Sequence, residues 1–160
     1  RDLVRSRGLG DVYKRQELWS ANLYLSMSFY LKKEGFSGMA NWMRKQSAKE
    51  VGHACTIAEY MVKREATPKV DKVDVVPQGW GNSLEVFEHA LEHEKHISKL
   101  IDELVYLASE EKDNATQDFL WKFVREQVEE EAGVQNIVNL LKKAGDSGIL
   151  FIDAKLDGCK

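Results

Sequence analysis

Four segments of this chain repeat one anomaly. Each carries an apolar stripe at helical spacing, and each stripe contains or borders a carboxylate. In the second segment the line Met39, Trp42/Met43, Gln46, Glu50, His53, Ile57, Met61 carries Glu50 and His53. In the third, Phe87, Ala90/Leu91, Glu94, Ile97, Ile101, Leu104 carries Glu94. In the fourth, Leu120, Phe123, Gln127, Glu130, Val134, Ile137, Leu141 carries Gln127 and Glu130. In the first, Leu18, Ala21, Leu25 and Phe29 form the apolar line, and Glu17 and Tyr24 lie seven apart beside it. Apolar residues at a 3.6 period indicate amphipathic helices. A carboxylate inside such a core is costly unless paired, protonated or bound to metal. One glutamate at a stripe edge can reach solvent; Glu50, Glu94 and Glu130 all fall near the middle of their helices, and Glu17 joins them if earlier turns precede it, so together they point to a common site.

The segments between the stripes set the connectivity. "EGFSG" (Glu34 to Gly38) separates the first helix, ending near Lys33, from a second spanning about Met39 to Arg64. "ATPKVDKVDVVPQGWGN" (Ala66 to Asn82) holds both prolines and is too long for a tight turn. A segment of this length can carry the chain from one end of a bundle to the other. Asn82 with Glu85 has the pattern of a capping box opening a third helix, which runs to about Glu111. Asn114 with Gln117 suggests the cap of a fourth, ending near Lys143. "ILFIDAKL" (Ile149 to Leu156) suggests a short fifth. The expected fold is all-α: a four-helix bundle with one long crossover between helices two and three and a short C-terminal helix. Strand content should be close to nil, with at most a short extended piece at Val73 to Val76.

Residues i and i+3 share a helix face, with Cβ atoms about 5–6 Å apart. Glu50 and His53 can thus offer one oxygen and one nitrogen to the same ion, and Glu50 has a second oxygen for a neighbouring ion. Gly52 leaves space beside the pair, at a helix-propensity cost of roughly 1 kcal/mol; the expectation is close approach of another element. Glu17, Glu50, Glu94 and Glu130 balance the charge of two ferrous ions, and neutral His53 and Gln127 add nothing. Such a carboxylate-rich, one-imidazole set suits iron or manganese better than structural zinc. A glutamate from each of two helices with i, i+3 motifs from two others is a di-iron carboxylate arrangement.

Composition narrows the class further. A net charge of −3 offers no basic field for nucleic acid. No apolar run reaches the roughly 20 residues of a membrane span, and no secretory leader is evident. Cys55 and Cys159 form no paired motif, which fits a reducing cytoplasm; Cys55 reads as a small buried hydrophobe. The first sixteen residues, "RDLVRSRGLGDVYKRQ", carry four arginines and no sustained apolar stripe. They read as an atypical segment, either an artefact or an irregular start of the first helix. The domain is assigned to residues 17–160.

The sequence resembles bacterial non-haem ferritin from Glu17 to about Leu156. The resemblance rests on "ELWSANLYLSMS" (Glu17 to Ser28), "KEVGH" (Lys49 to His53), Glu94 in "EHEKH", and "REQVEEE" (Arg125 to Glu131). Bacterioferritin carries a second ExxH in the fourth helix, where this chain has Gln127 and Glu130. It also has a haem-binding methionine where this chain has Val51, so no haem is expected. The resemblance implies a ferroxidase that oxidises Fe(II) with dioxygen and stores ferric oxide in a hollow shell of 24 subunits. It further implies that Glu17 and His53 bind one iron, Glu94 and Glu130 a second, and Glu50 both. Gln127 would hydrogen-bond beside the site and Tyr24 would be an electron donor. Glu126, Glu129 and Glu130 match a third, inward site, where Lys49 replaces a glutamate common in the family.

Two other readings compete. In a non-catalytic helical subunit the carboxylates would pair with bases; Lys49, Lys95 and Arg125 are near in sequence, but each is offset from the core line. A di-iron oxygenase would need an organic-substrate pocket. Trp80 and "ILFI" (Ile149 to Ile152) are the expected exposed apolar residues for assembly, and "SEEKDN" (Ser109 to Asn114) is either a source of pore carboxylates or a solvated turn.

Overall fold

The computed structural model describes residues 2–158, with side chains from Gly10 onward. Five helices and no strand occur among the described residues: α1 (Asp2–Lys33), α2 (Ser37–Lys63), α3 (Ser83–Glu110), α4 (Asn114–Lys143) and α5 (Asp146–Asp157). The helix expected from Glu17 therefore begins much earlier, at Asp2. Tyr13 and Lys14, within the atypical segment, are buried. Residues 73–76 form no strand.

Helix ends follow local chemistry. Asn82 caps α3 as expected: Glu85 N donates to Asn82 Oδ1 at 2.9 Å and Asn82 N donates back to Glu85 Oε1 at 3.4 Å. The cap of α4 is Asp113 rather than Asn114, with Thr116 N donating to Asp113 Oδ1 at 3.2 Å. Arg64 holds the same oxygen at 3.1 Å, so this member of the "SEEKDN" turn is occupied structurally. Gly35 ends α1 at φ +93°, and Glu65 and Lys112 take the same left-handed role without being glycine, at φ +63° and +57°.

Two apolar clusters divide the bundle, and the chain passes between them five times, once in each long helix and once in the crossover. The first includes Tyr24, Met27, Met39, Met43, Phe87, Ala90, Val134 and Ile137. The second includes Tyr13, Ile57, Met61, Ile97, Ile101 and Phe123. The crossover leaves near Ala66, packed on the second cluster, and arrives through Val76 and Trp80 at the first. It thus returns the chain to the end where α2 began. Trp80 is buried against Tyr30, their rings edge-on at 5.5 Å, and is not the exposed residue expected from its loop position. In each of the four long helices the step between clusters passes a polar residue: Glu17, Glu50, Glu94 and Gln127, all buried.

The core face of α1 differs from the expected line. Leu25 and Phe29 point outward, Phe29 being 65% exposed, whereas Ala21, Tyr24, Met27 and Leu31 are buried. Leu25 and Phe29 flank the crossover at Val73, Val75 and Val76. Cys55 is exposed, not buried. In α5, Leu150 and Phe151 are exposed and Ile152 is buried.

Helix α5 docks at the start of α2. Phe36, the N-cap of α2, supplies no side-chain acceptor. Asp153 of α5 does so: Met39 N donates to its Oδ1 at 2.7 Å, and Asn41 donates to Asp157 at 2.7 Å. Gly38 permits this contact, since a Cβ there would lie 1.8 Å from the Asp153 carbonyl oxygen. Gly52, by contrast, has nothing within 4 Å of its missing Cβ, so no element of this chain makes the close approach expected there. The two glycines should respond oppositely to alanine. Gly52→Ala is expected to stabilise the subunit by roughly 0.5–1 kcal/mol. Gly38→Ala should destabilise it by about 1–3 kcal/mol through overpacking. Urea denaturation of both variants checks the sign of each.

Candidate metal centre

Helix periodicity places one acidic residue from each long helix at the polar layer, and the side chains converge from there. Glu17 (α1), Glu50 and His53 (α2) form one compact group, each offering a ligand atom within 4.8 Å of the others'. His53 Nδ1 lies 3.2 Å from Glu17 Oε2 and 3.3 Å from Glu50 Oε2. Glu17 Oε1 is buried with no hydrogen-bond partner. A carboxylate oxygen buried in this way is costly, and a cation among these three residues would satisfy it. The donor set therefore fits a divalent ion.

The other half of the layer is already hydrogen-bonded. Tyr24 OH donates to Glu94 Oε1. Gln127 Nε2 donates to Glu94 Oε2 at 2.5 Å and to the Glu94 carbonyl at 3.0 Å. Glu130, partly buried, accepts from Gln46 Nε2 at 2.8 Å and from Lys49 Nζ at 2.8 Å. Lys49 is exposed and off the core line, as expected, but its stem is long enough to lead its ammonium across to α4. It pairs with Glu130, not with Glu126 or Glu129. Glu126 instead lies 3.2 Å from His53 Nε2, so both ring nitrogens of His53 face carboxylates. Glu129 is exposed. Glu94 and Glu130 are thus in the layer but outside the compact group.

Electrostatics reflect the crowding. Burial alone would lower His53, but hydrogen bonds to Glu17 and Glu50 outweigh it and raise the imidazole to about 10. Burial and the neighbouring Glu17 push Glu50 well above the usual carboxylate range. Burial and the Glu50 charge raise Glu94 to about 7, against the lowering effect of Tyr24 and Gln127. Burial, with the Glu94 carboxylate beside it, also holds the Tyr24 phenol well above its ordinary value. The metal-free layer keeps protons that an ion must displace.

Comparison with known proteins agrees with this geometry. A family model described as a ferritin-like domain matches residues 15–144. The chain belongs to the ferritin family. A bacterial non-heme ferritin of Bacteroides fragilis (strain 638R) is 66% identical over 140 residues, covering 88% of each chain. One from Campylobacter jejuni is 34% identical over 133 residues, covering 83% of this chain and 80% of that one. Among solved structures, an open pore ferritin from the hyperthermophilic archaeon Archaeoglobus fulgidus superposes with a TM-score of 0.96 at 38% identity, covering 98% of both chains.

Some residues of the layer escaped sequence reasoning. Gln46 lies on the α2 stripe, where its partner could not be read. Tyr13 falls in the atypical segment; burial and the Glu17 carboxylate beside it hold its phenol far above its ordinary value.

The shifts set a pH window. Glu50, Glu94 and His53 are all raised, so the folded metal-free protein holds more protons than the unfolded chain. The stability this confers is full below the ordinary values, 4.5 for glutamate and 6.5 for histidine, and declines as pH rises through the folded values, about 7 for Glu94 and about 10 for His53. The metal-free protein should lose stability on the order of a few kcal/mol between pH 6.5 and 9. Thermal melts across that range with and without a divalent ion check this; the ion should flatten the decline.

Proposed function

We infer that this ferritin is an iron-storage ferroxidase: it oxidises Fe(II) with dioxygen at a two-iron site and retains the ferric product inside a closed homo-oligomer, with 24 subunits as the expected count. One observation carries the reading. A buried, unpartnered Glu17 oxygen stands beside Glu50 and His53 in a compact group. The membership in the ferritin family supports the same function.

Fe(II) is the substrate. Glu17 and His53 would hold the first ion and Glu94 and Glu130 the second, with Glu50 shared between them. His53 must give up a proton when the first ion arrives, because Nδ1 now shares hydrogen bonds with both Glu17 and Glu50. Glu94 is held in position by Tyr24 and Gln127. Glu130 must exchange its Gln46 and Lys49 partners for the second ion. Two Fe(II) ions supply two electrons to one dioxygen, and Tyr24, hydrogen-bonded to Glu94, stands where a further electron would come from. Lys49 weakens the third site formed by Glu126, Glu129 and Glu130, since its charge repels Fe(II) and occupies a Glu130 oxygen.

The oligomer reading is supported by exposed apolar residues on α1 and α5, Phe29, Leu150 and Phe151. No helix among the described residues is long and apolar enough to cross a membrane, which fits the cytoplasmic reading.

Two measurements test these assignments. Stopped-flow absorbance after aerobic Fe(II) mixing should show Glu50→Ala losing fast oxidation far more completely than Glu126→Ala, with iron retained per subunit well above two in the unmodified protein. Equal, near-unmodified rates in the two variants would remove the assignment of Glu50, and retention of about two ions would favour an oxygenase. Anaerobic Fe(II) calorimetry should find two tight ions in the unmodified chain. Lys49→Glu should tighten a third by about tenfold or more, since it removes a repelling charge and adds an oxygen ligand; a third tight ion before that substitution would contradict the role given to Lys49.

A further inference from the structure

Three of the four histidines of this chain lie on α3, at positions 89, 93 and 96. With Glu92 they span an arc of about 100° around the helix. They line a cleft of about 600 Å³ between α1, α3 and the crossover, with Trp19 and Asp74 on the facing walls. None belongs to the carboxylate layer.

His93 is the organised member. It is 9% exposed, and its Nε2 lies 2.6 Å from Ser20 Oγ. The Ser20 hydroxyl has one proton, and it is committed to the Gln16 carbonyl at 2.8 Å. In the contact with His93, Ser20 is therefore the acceptor and Nε2–H the donor. That leaves Nδ1 as a bare lone pair, and no hydrogen bond from a described residue occupies it. Nor is Nδ1 among the fully enclosed polar atoms left unpaired, so it opens to the cleft. An imidazole whose one nitrogen donates to an oxygen while the other is free is the usual arrangement of a metal-ligating histidine.

The neighbouring rings are within reach. The His93 and His96 centroids are 6.3 Å apart. With nitrogen–metal distances of about 2.0–2.1 Å, two rings sharing an ion lie no more than roughly 6.5 Å apart. His96 is exposed, and His89 stands one turn before His93; the compact group among the described residues does not include them, so His89 and His96 turn toward His93 on binding an ion. Glu92 and Asp74 give the cleft negative charge.

We propose that His89, His93 and His96 form a second metal site on the α1–α3 face, for an imidazole-preferring divalent ion of the Zn(II) and Cu(II) class. Its nitrogen donors separate it chemically from the oxygen-rich layer, which suits Fe(II). The two sites adjoin through Tyr24: its ring meets His93 edge-on at 6.3 Å, and its hydroxyl holds Glu94.

Copper binding tests the site, because nitrogen ligands split the Cu(II) EPR signal. The metal-free protein carrying His53→Ala lacks the one imidazole of the carboxylate layer. With one equivalent of Cu(II) it should still show coupling to at least two imidazole nitrogens. Adding His89→Ala and His96→Ala should abolish that coupling and weaken Cu(II) binding at least tenfold by calorimetry. Should His53→Ala not fold, the same loss is expected between the unmodified protein and His89→Ala/His96→Ala, whose Fe(II) oxidation rate should be unchanged. Multi-nitrogen coupling that survives removal of His89 and His96 would overturn the site, as would its absence from both starting proteins.

Discussion

The structure is organised around a layer of buried carboxyl groups placed in the middle of an apolar bundle. Glu17, Glu50 and Glu94 are almost wholly buried; among the described residues no arginine or lysine pairs with them, and the cation beside Glu17 and Glu50 is the His53 imidazole. Burying one such group unpaired costs several kcal/mol, and three together repel. The chain supports this only because the helices on either side of the layer close over two well-packed apolar clusters. Met39, Met43, Phe87 and Val134 lie on one side and Ile57, Ile101 and Phe123 on the other. Each long helix therefore serves twice, anchoring at both ends and exposing its polar residue only to the other three.

The two halves of the layer are prepared differently. Glu17 and Glu50 share one imidazole nitrogen and leave an oxygen without a donor. Glu94 and Glu130 have every near oxygen engaged, by Tyr24 and Gln127 in one case and by Gln46 and Lys49 in the other. The first group is poised for a cation; the second has neutral or cationic stand-ins that a cation must displace. This difference comes from Tyr24 on α1, Gln46 and Lys49 on α2 and Gln127 on α4, not from the carboxylates themselves.

Much of this was readable from spacing. The fold class, the long crossover, the Asn82–Glu85 box and the interrupted stripes follow from periodicity and capping chemistry, which are local. What spacing missed depended on neighbours. Leu25 and Phe29 have the right period for a core line, but the line through Ala21, Tyr24, Met27 and Leu31 wins because it keeps Glu17 in the layer. Trp80 lies in a segment with no period at all, and its burial follows from Tyr30, which sequence does not bring near. Lys49 is offset by one residue from Glu50, yet its length carries its charge to Glu130. Asp113 replaces the expected cap because Arg64, far away in sequence, fixes its carboxylate. The inward placement of Glu50 and Glu94 follows from spacing and that of Glu17 from the earlier start of α1; the hydrogen bonds that distinguish them do not follow from spacing.

The Asp153 carboxylate gives the final helix authority over where α2 begins. During synthesis, Glu17, Glu50 and His53 all emerge early, yet the first turn of α2 lacks its acceptor until Asp153 has been made. A nascent chain thus holds the three groups while the start of the helix bearing two of them is still unsecured. The start of the helix that carries Glu50 and His53 is thus secured by a contact from α5, a segment remote in sequence from every residue of the layer.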